Sequence, residues 1–257
     1  MPPRLHLPPL FGRQPATPRT GRTAAVVLAG GSGSRVGAGM NKVYLPLAGR
    51  RVISWSLRWA AEVAEIGTFV LVVRPEDAEL AESTMRRELP GTPVELVVGG
   101  GTRHESEQAA LDHLSERITE GRLDVVAIHD GARPLAGPSL FRSVVVTAAA
   151  EGGALPAIPA FGVVPVGADG HPVHASGGTR LARVQTPQAF RAADLIKAYA
   201  AAAAAGFQGT DTASSVEAFS DLTVRAVPGS RLNLKVTYPH DLFLAERLLA
   251  AHHYQLP

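Results

Sequence analysis

A stretch near the start of the chain, Ala24–Leu47, most constrains how this sequence can fold. It opens with the apolar run Ala24–Leu28, whose length and composition are typical of a buried strand. It then enters a loop of small residues, Ala29–Ser34, in which three glycines leave the backbone without Cβ atoms. Such a loop lets backbone N–H groups turn toward an anion. The stretch therefore predicts a buried strand that ends in an anion-binding loop.

Two cations, Arg35 and Lys42, follow this loop, where they can hold the phosphates that backbone amides cradle. The pattern is not a P-loop, because Asn41 stands where that motif needs a glycine before the lysine. It is not a dinucleotide fingerprint, because Val36 stands where the third glycine is needed. The order GGxGxR, lysine and Leu-Pro-Leu resembles the nucleotide loop of sugar-nucleotide-type nucleotidyltransferases. The alternative is a glycine-rich turn with two solvated cations.

The composition excludes several classes of protein. Of the 257 residues 46% are hydrophobic, enough for the core of one large α/β domain or two small ones. Cysteine is absent, which excludes disulfides and thiolate metal sites. The formal charge of +2 includes four arginines in an acid-free N-terminal tail, and no basic stripe is interleaved with aromatic residues. We therefore expect no binding to nucleic acid.

The apolar segments that membrane and secreted proteins need are also missing from the sequence. No apolar run is long enough to cross a bilayer, and prolines interrupt Leu5–Phe11, where a signal peptide would be apolar. We therefore expect a cytoplasmic protein that does not bind membranes. Residues 1–22 are rich in Pro and Arg without apolar periodicity, which predicts a disordered tail before a single domain over 23–257.

From Thr23 onward, segments with strand and helix patterns alternate. Strands are predicted over 24–28, 68–73, 93–98, 123–128, 154–160, 184–186, 223–227 and 232–236. Helices are predicted over 51–64, 76–89, 103–118, 192–205, 212–219 and 239–251. This alternation implies βαβ units, and hence an α/β fold with a mostly parallel twisted sheet and helices on both faces. The pair Asp169-Gly170 predicts a β-hairpin, which we expect to project as an arm over about 159–178.

Ligands of an open parallel sheet bind beyond the carboxyl ends of its strands. Three further polar stretches lie at such predicted ends, namely Gly99–Arg103, His129–Pro134 and Leu232–Thr237. Asp130 can hold Mg²⁺ against phosphates there, or instead cap a helix or pair with Arg133. Lys235 lies in a predicted strand, where its ammonium faces either a ligand or water at a sheet edge.

Three other polar side chains near these strand ends leave their roles open or argue for packing. Ser106 either donates a hydrogen bond to a nucleobase or simply opens a helix. His104 and His129 have no metal-ligand spacing, so we expect both to be packed or solvated.

Taken together, six stretches resemble the motifs of one known family, in the family's order. They are LAGGSGSR…NKVYLPL, GGGTRHES, IHDGARP, QTPQAF, TDTAS and LNLKVTYPHDL, and they cover the chain from about Thr23 to Glu246. The set is similar to that of 2-C-methyl-D-erythritol 4-phosphate cytidylyltransferases, enzymes of the non-mevalonate isoprenoid pathway. The resemblance implies a Rossmann-like nucleotidyltransferase fold. It also implies a protruding β-arm that forms a homodimer and reaches the neighbour's active site.

The implied reaction is attack by a phosphate oxygen of a small polyol phosphate on the α-phosphorus of CTP, with release of pyrophosphate. The resemblance implies three catalytic residues, Arg35, Lys42 and Lys235, of which the first two stabilise the transition state. It also implies that Asp130 binds CTP through a Mg²⁺ ion.

The remaining implied roles concern binding. Arg133, Lys235 and Arg180 are the residues that the resemblance assigns to the polyol phosphate. The rest of the CTP pocket is implied to come from the two glycine-rich loops, that is from Ala29, Gly30, Gly31, Gly33, Gly100 and Ser106.

The chain departs from the family pattern mainly at the arm. Gly162–Pro165 replaces the usual Asp-Thr-x-Lys, and none of its side chains can hold a phosphate or a hydroxyl. Gly178 stands where an arginine is usual, with Arg180 nearby as a possible substitute. Smaller departures are Asn41 in place of a proline and Gly101 in place of a polar residue.

Three functions remain compatible with the sequence. The first is a methylerythritol phosphate cytidylyltransferase with an unusual arm, which the motif set favours. The second is a cytidylyltransferase for another polyol phosphate, such as ribitol 5-phosphate, which the altered arm favours. The third is a non-catalytic nucleotide-binding dimer. The presence of Arg35, Lys42, Asp130 and Lys235 argues against this third function.

Overall fold

The computed structural model describes residues 21–31, 40–164, 166–171, 173 and 181–253. The strands are β1 (Thr23–Leu28), β2 (Pro46–Leu47), β3 (Arg50–Arg51), β4 (Ile66–Val73), β5 (Val94–Val98), β6 (Val125–Asp130), β7 (Gly152–Pro159), β8 (Ala182–Val184), β9 (Gln188–Arg191) and β10 (Thr223–Pro228). The helices are α1 (Val52–Ala61), α2 (Ala78–Glu88), α3 (Arg103–Thr119), α4 (Gly137–Glu151), α5 (Ala192–Ala204), α6 (Thr212–Phe219) and α7 (Pro239–His253). Within these described ranges, no helix is both long and apolar enough to span a membrane.

Eight of the described strands form one sheet in the order β10-β7-β9-β6-β1-β4-β5, with β8 paired to β7. The pairs β1–β4, β1–β6, β4–β5 and β7–β10 are parallel, whereas β8 and β9 run antiparallel to their neighbours. The predicted α/β fold with a mostly parallel sheet is therefore confirmed. The chain adds β4 and β5 on one side of β1 and later β6 on the other, and such a reversal opens a crevice at the carboxyl ends of the strands.

Helices cover both faces of this sheet. Val27 of β1 packs in one core with Leu57 of α1, whereas Val26 packs in a second core with Leu111 of α3. Successive side chains of a strand point to opposite faces, so a strand buried on both sides needs a continuous apolar run. This requirement explains why Ala24–Leu28 is apolar at every position.

The strand predicted over 232–236 is wrong, because these residues form an irregular loop. The alternation Leu-Asn-Leu-Lys-Val matches strand periodicity, but Asn233 is buried and its side-chain amide donates to the carbonyl of Thr186 at 2.9 Å. A side chain that bonds backbone in this way replaces the ladder bonds that a strand would need. The strand predicted over 184–186 is displaced and lies at Ala182–Val184.

The arm lies partly outside the described residues, as do residues 1–20 of the predicted tail. Within the arm, the N–H of Gly167 donates to the carbonyl of His171 at 2.9 Å, and Gly170 adopts a φ of +82° that favours glycine. The turn predicted at Asp169-Gly170 is therefore present.

Candidate active site

A cleft of about 440 Å³ lies at the carboxyl edge of the sheet, where β1, β5 and β6 end. Its walls come from the residues after β1, the turn at Lys42, the loop between β5 and α3, and the residues after β6, with Lys235 from the loop before α7. Seven residues predicted for the site line this cleft: Gly30, Gly31, Lys42, Gly100, Ser106, Asp130 and Lys235.

The loop between β5 and α3 forms a rigid wall of the cleft. A Cβ at Gly99 would lie 2.7 Å from Oγ of Ser106, and one at Gly100 would overlap the side chain of Glu105, so neither position has room for a side chain. Thr102 caps α3, because its hydroxyl accepts from the N–H of Glu105 while the Glu105 carboxylate accepts from the N–H of Thr102. Ser106 donates to the Thr102 carbonyl at 2.9 Å, so its hydroxyl bonds within its own helix.

Asp130, the last residue of β6, faces three cations. Its Oδ2 lies 2.9 Å from Nζ of Lys235 and 3.4 Å from Nε of Arg133, and its Oδ1 pairs with Arg103. Burial opposes ionisation, but these three cations together hold the pKa of Asp130 well below its usual range. The carboxylate is therefore ionised, and it holds the three cationic side chains at the edge of the cleft.

Arg103 is a residue of this cleft to which the sequence interpretation assigns no role. It is the first residue of α3, lines the cleft and pairs with Asp130, while its Nε lies 3.0 Å from Oε1 of Glu107. Burial lowers the pKa of Arg103, but the two carboxylates outweigh that effect and raise it. The signal that could have found it is its position, since Arg103 follows the second glycine loop as Arg35 follows the first.

The loop before α7 is fixed to the residues after β6. The N–H of Val236 donates to the carbonyl of Ala132 at 2.8 Å, and Nη1 of Arg133 donates to the carbonyl of Asn233 at 2.9 Å. Lys235 is therefore held at the cleft by a loop, and its side chain is 43% exposed. Arg133 is not part of the cleft lining. It forms an ion pair with Asp130 instead, and this pairing is one of the alternatives that the sequence analysis left open for Asp130.

The turn that carries Lys42 is tied to the end of β1 by its neighbour Asn41. The Asn41 amide donates to the carbonyl of Ala29 at 2.6 Å and to Asp77 at 2.9 Å, and its Oδ1 accepts from the N–H of Val43 at 3.3 Å. Ala29 itself is buried and does not line the cleft. Lys42 lines the cleft and is 8% exposed, so most of its side chain is packed.

Both histidines near the site are packed, as predicted. His104 stacks on Tyr199 with ring centroids 4.8 Å apart. His129 packs against Phe141, lies 3.2 Å from the carbonyl of Arg133 through Nε2, and lies 3.1 Å from Oγ1 of Thr186 through Nδ1. Because the carbonyl can only accept, Nε2 carries the proton of a neutral ring. Burial lowers the pKa of His129 to about 4.

Three of the predicted site residues, Gly33, Arg35 and Arg180, lie outside the described residues. Their roles stay predictions.

The metal prediction can be tested on the donor set around Asp130. The described residues contain no cluster of three or more His, Asp or Glu side chains suited to a metal. Mg²⁺, however, is usually bound by one or two carboxylates together with substrate phosphates rather than by an all-protein cage. A lone carboxylate in the lining of a cleft with cationic walls fits a Mg²⁺ ion that is shared with a bound polyphosphate.

Comparisons with known proteins agree with this geometry. Residues 23–251 match the family model of 2-C-methyl-D-erythritol 4-phosphate cytidylyltransferase. The chain is 38% identical over 231 residues to the enzyme of that name from Cereibacter sphaeroides strain KD131, covering 89% of this chain and 97% of the relative. It is 36% identical over 228 residues to the enzyme of that name from Synechococcus sp. strain JA-3-3Ab, covering 87% and 95%.

Solved structures give the same result. The 4-diphosphocytidyl-2C-methyl-D-erythritol synthase of Anaerococcus prevotii superposes with a TM-score of 0.76 at 26% identity, covering 89% of this chain and 96% of that one. The 2-C-methyl-D-erythritol 4-phosphate cytidylyltransferase of Thermus thermophilus gives a TM-score of 0.63 at 26% identity, covering 87% and 97%. Enzymes of this kind generally use a divalent cation. The chain belongs to the 2-C-methyl-D-erythritol 4-phosphate cytidylyltransferase family, whose members are CTP-dependent nucleotidyltransferases.

Proposed function

We propose that this protein transfers CMP from CTP to 2-C-methyl-D-erythritol 4-phosphate and releases pyrophosphate, in isoprenoid precursor biosynthesis. The observation that carries the proposal is the convergence of Lys42, Arg103 and Lys235 on one glycine-walled cleft. Such an arrangement of amides and cations binds a polyphosphate. The proposal treats residues 23–257 as one domain and places the enzyme in the cytoplasm, in keeping with a chain that lacks cysteine.

The two glycine loops hold the nucleotide in this proposal. Gly30, Gly31 and Gly33 approach the triphosphate, and Gly100 and Ser106 contact the cytosine. The described members of this set line a single cleft, and Gly99 and Gly100 in the second loop have no room for a side chain. A rigid wall of this kind loses little conformational entropy when the nucleotide binds.

The cations provide the chemistry. Arg35 and Lys42 stabilise charge that develops at the α-phosphorus, Arg103 binds the triphosphate, and Lys235 aligns the incoming phosphate. Transfer to phosphorus needs alignment and charge neutralisation rather than covalent catalysis. The nucleophile is a phosphate monoester, which is largely ionised near neutral pH, so no general base is needed.

Asp130 and the phosphates of CTP together hold Mg²⁺ in this proposal. When bound, the ion neutralises charge on the triphosphate and helps to orient the α-phosphorus. Asp130 also retains Lys235 and Arg133 beside the cleft, as its ion pairs of 2.9 and 3.4 Å indicate.

The acceptor phosphate is bound by Lys235, Arg133 and Arg180, and the arm joins two copies of the chain into a homodimer. Support for the dimer comes from exposed apolar side chains on the arm, since Phe161 is 76% exposed and Val166 is 59% exposed. Apolar side chains this exposed are typical of a surface that another chain covers.

A second acceptor stays open because of one observation. Val163 and Val164 are 51% and 54% exposed, so the arm presents methyl groups where the family usually has groups that bind a phosphate or a hydroxyl. Another polyol phosphate, such as ribitol 5-phosphate, could therefore be the acceptor.

The test is pyrophosphate release from CTP and Mg²⁺ with a panel of polyol phosphates. We expect release with 2-C-methyl-D-erythritol 4-phosphate, little with ribitol 5-phosphate and none without an acceptor. The same mixtures without protein serve as the background control. Release only with another acceptor would replace the substrate assignment, and release with none would support a nucleotide-binding protein without catalysis.

A further inference from the structure

Glu107 is a buried carboxylate that the proposed chemistry does not use. It lies one turn after Arg103 on α3 and is 1% exposed. Its Oε1 lies 3.0 Å from Nε of Arg103 and accepts a hydrogen bond from Thr212 at 2.8 Å, while its Oε2 accepts from the hydroxyl of Tyr199. The carboxylate therefore joins the first turns of α3 to α5 and α6, directly behind the cleft.

Burying this carboxylate is costly. Burial raises the pKa of Glu107 against the opposing effect of Arg103, Tyr199 and Thr212. A well-packed apolar residue is often as stabilising as a buried ion pair, or more so. Stability of the fold alone is therefore a weak explanation for Glu107, and its effect on Arg103 is a better one.

Arg103 is held between two carboxylates. Its Nε forms an ion pair with Glu107 at 3.0 Å and its Nη1 pairs with Asp130, while among the described residues neither Nε nor Nη2, both buried, has a hydrogen-bond partner. A free arginine side chain has many rotamers, and a guanidinium that is fixed before the ligand arrives loses less entropy on binding. Arg103 lines the cleft and its side chain is 26% exposed, so a guanidinium held by two carboxylates forms part of the cleft wall.

We infer that Glu107 is a positioning residue that fixes the guanidinium of Arg103 for the phosphates of the bound nucleotide. This inference rests on the proposed function, in which Arg103 binds the triphosphate. Tyr199 and Thr212 fix Glu107 in turn, so that residues of α5 and α6 act on nucleotide affinity without lining the cleft. Loss of Glu107 leaves Asp130 as the one carboxylate that the structure pairs with Arg103.

The test is a double-mutant cycle of Glu107→Gln and Arg103→Ala in the full-length protein, with the Kd for CTP measured by calorimetry and the KM for CTP by pyrophosphate release. We expect Glu107→Gln to raise both constants by about 10- to 100-fold, by analogy with the loss of a residue that orients a metal ligand. We expect kcat and the KM for the acceptor to change less than about threefold, because Arg103 contributes binding that is common to the ground and transition states. In the Arg103→Ala background, Glu107→Gln should have no further effect.

Glu116→Gln is the matched control, because Glu116 is an exposed carboxylate on the same helix. A folded Glu107→Gln protein with the Kd of the wild type would overturn the inference, and so would an equal loss in both backgrounds. If Glu107→Gln does not fold, Tyr199→Phe removes only a hydroxyl. It should then raise the Kd about threefold in the wild type and not in Arg103→Ala, and no such difference would also overturn the inference.

Binding and turnover separate this inference from the proposed function. If the wild type binds CTP but releases no pyrophosphate with any acceptor, the proposed function fails. The Kd cycle still decides the role of Glu107 in that case. If the wild type does not bind CTP, both fail.

Discussion

The nucleotide end of the cleft and the arm differ in how firmly the chain itself holds them. At the cleft, Asp130 is buried, pairs with three cations and bonds Thr186 through its backbone. At the arm, β7 and β8 pair over only three residues, and the apolar side chains Phe161 and Val166 are exposed. Among the described residues, many mutually supporting contacts fix the cleft and few fix the arm.

This difference separates two parts of the proposed function. The described ion pairs of Asp130 at the cleft all lie within one chain, so we expect a single chain to bind the nucleotide there. The arm leaves apolar surface uncovered, and burying that surface against a second chain would stabilise it. Changes at the cleft should therefore affect the chemistry, whereas changes at the arm should affect assembly and acceptor choice.

The largest effect is expected from Asp130→Asn. This change removes the charge that pairs with three cations and the proposed ligand of Mg²⁺. We expect kcat/KM for CTP to fall by about a thousandfold or more. The free energy of unfolding should fall by about 3 kcal/mol, because the largely buried side chains of Arg103 and Arg133 lose their partner. Steady-state kinetics and urea unfolding measure the two effects, with Asp221→Asn as an exposed control. Activity close to that of the wild type would show that this carboxylate is dispensable.

Lys42→Ala should have the next largest effect. A charge stabiliser acts mainly in the transition state, so kcat should fall at least about a hundredfold while the Kd for CTP changes little. Single-turnover kinetics would measure the chemical step directly. Lys197→Ala, which removes an exposed lysine of α5, should leave turnover unchanged. An unchanged kcat in Lys42→Ala would remove this lysine from the catalytic set.

The firm packing at the cleft also predicts a pH dependence of stability. Burial lowers the pKa of His129 to about 4, below the value of about 6.5 in an unfolded chain. The unfolded state therefore binds the proton more readily between these values. The contribution of His129 to the free energy of unfolding is thus fully present above about pH 6.5. Up to about 3 kcal/mol of it is lost as the pH falls toward 4.

Chemical denaturation as a function of pH would measure this loss, and nuclear magnetic resonance would give the pKa of the ring. His129→Gln should flatten the profile over the same window, because its amide does not titrate. Asp130 should act only at lower pH, since its pKa lies well below its usual range. If the free energy of unfolding of His129→Gln changed as steeply with pH as that of the wild type, other groups would cause the effect.

The smallest effect is expected from Phe161→Asp at the arm. A buried charge at an interface should weaken the dimer at least about tenfold, while the Kd for CTP stays as in the wild type. Analytical ultracentrifugation at micromolar concentrations would show the shift from dimer to monomer. Leu244→Asp, which changes an exposed apolar residue of α7, is the matched control. A wild-type monomer at these concentrations would contradict the arm interface.

The sequence predicts the elements whose pattern has one physical explanation. Runs such as Thr68–Val73 are apolar at nearly every position because they are buried on both faces, and they lie within observed strands. Helix α6 has the predicted bounds, and its start is fixed because Asp211 caps its first turn. The antiparallel strand Gln188–Arg191 was not predicted, because four residues after a proline carry too little periodicity.

The candidate site is predicted to a similar degree. Glycines and cations at strand ends indicate which residues can reach the same edge of a sheet. Which of them pair is decided by bonds between distant segments, such as the bond from Arg133 to Asn233, one hundred residues away. Bonds between distant segments produce no pattern in the local sequence. For this reason Arg103 received no role, and the ion pair of Arg133 with Asp130 was only one of the alternatives that the sequence left open.

Thr186 connects the arm and the cleft through hydrogen bonds. It stands two residues after β8, at the foot of the arm, and its hydroxyl lies within hydrogen-bonding distance of both the Asp130 backbone and the His129 ring. Its carbonyl accepts from Asn233, which lies two residues before Lys235. Thr186 is therefore bonded both to the end of β6 and to the loop that carries Lys235. By thermodynamic reciprocity, a partner that binds the arm more tightly when CTP is bound must raise the affinity for CTP by the same factor.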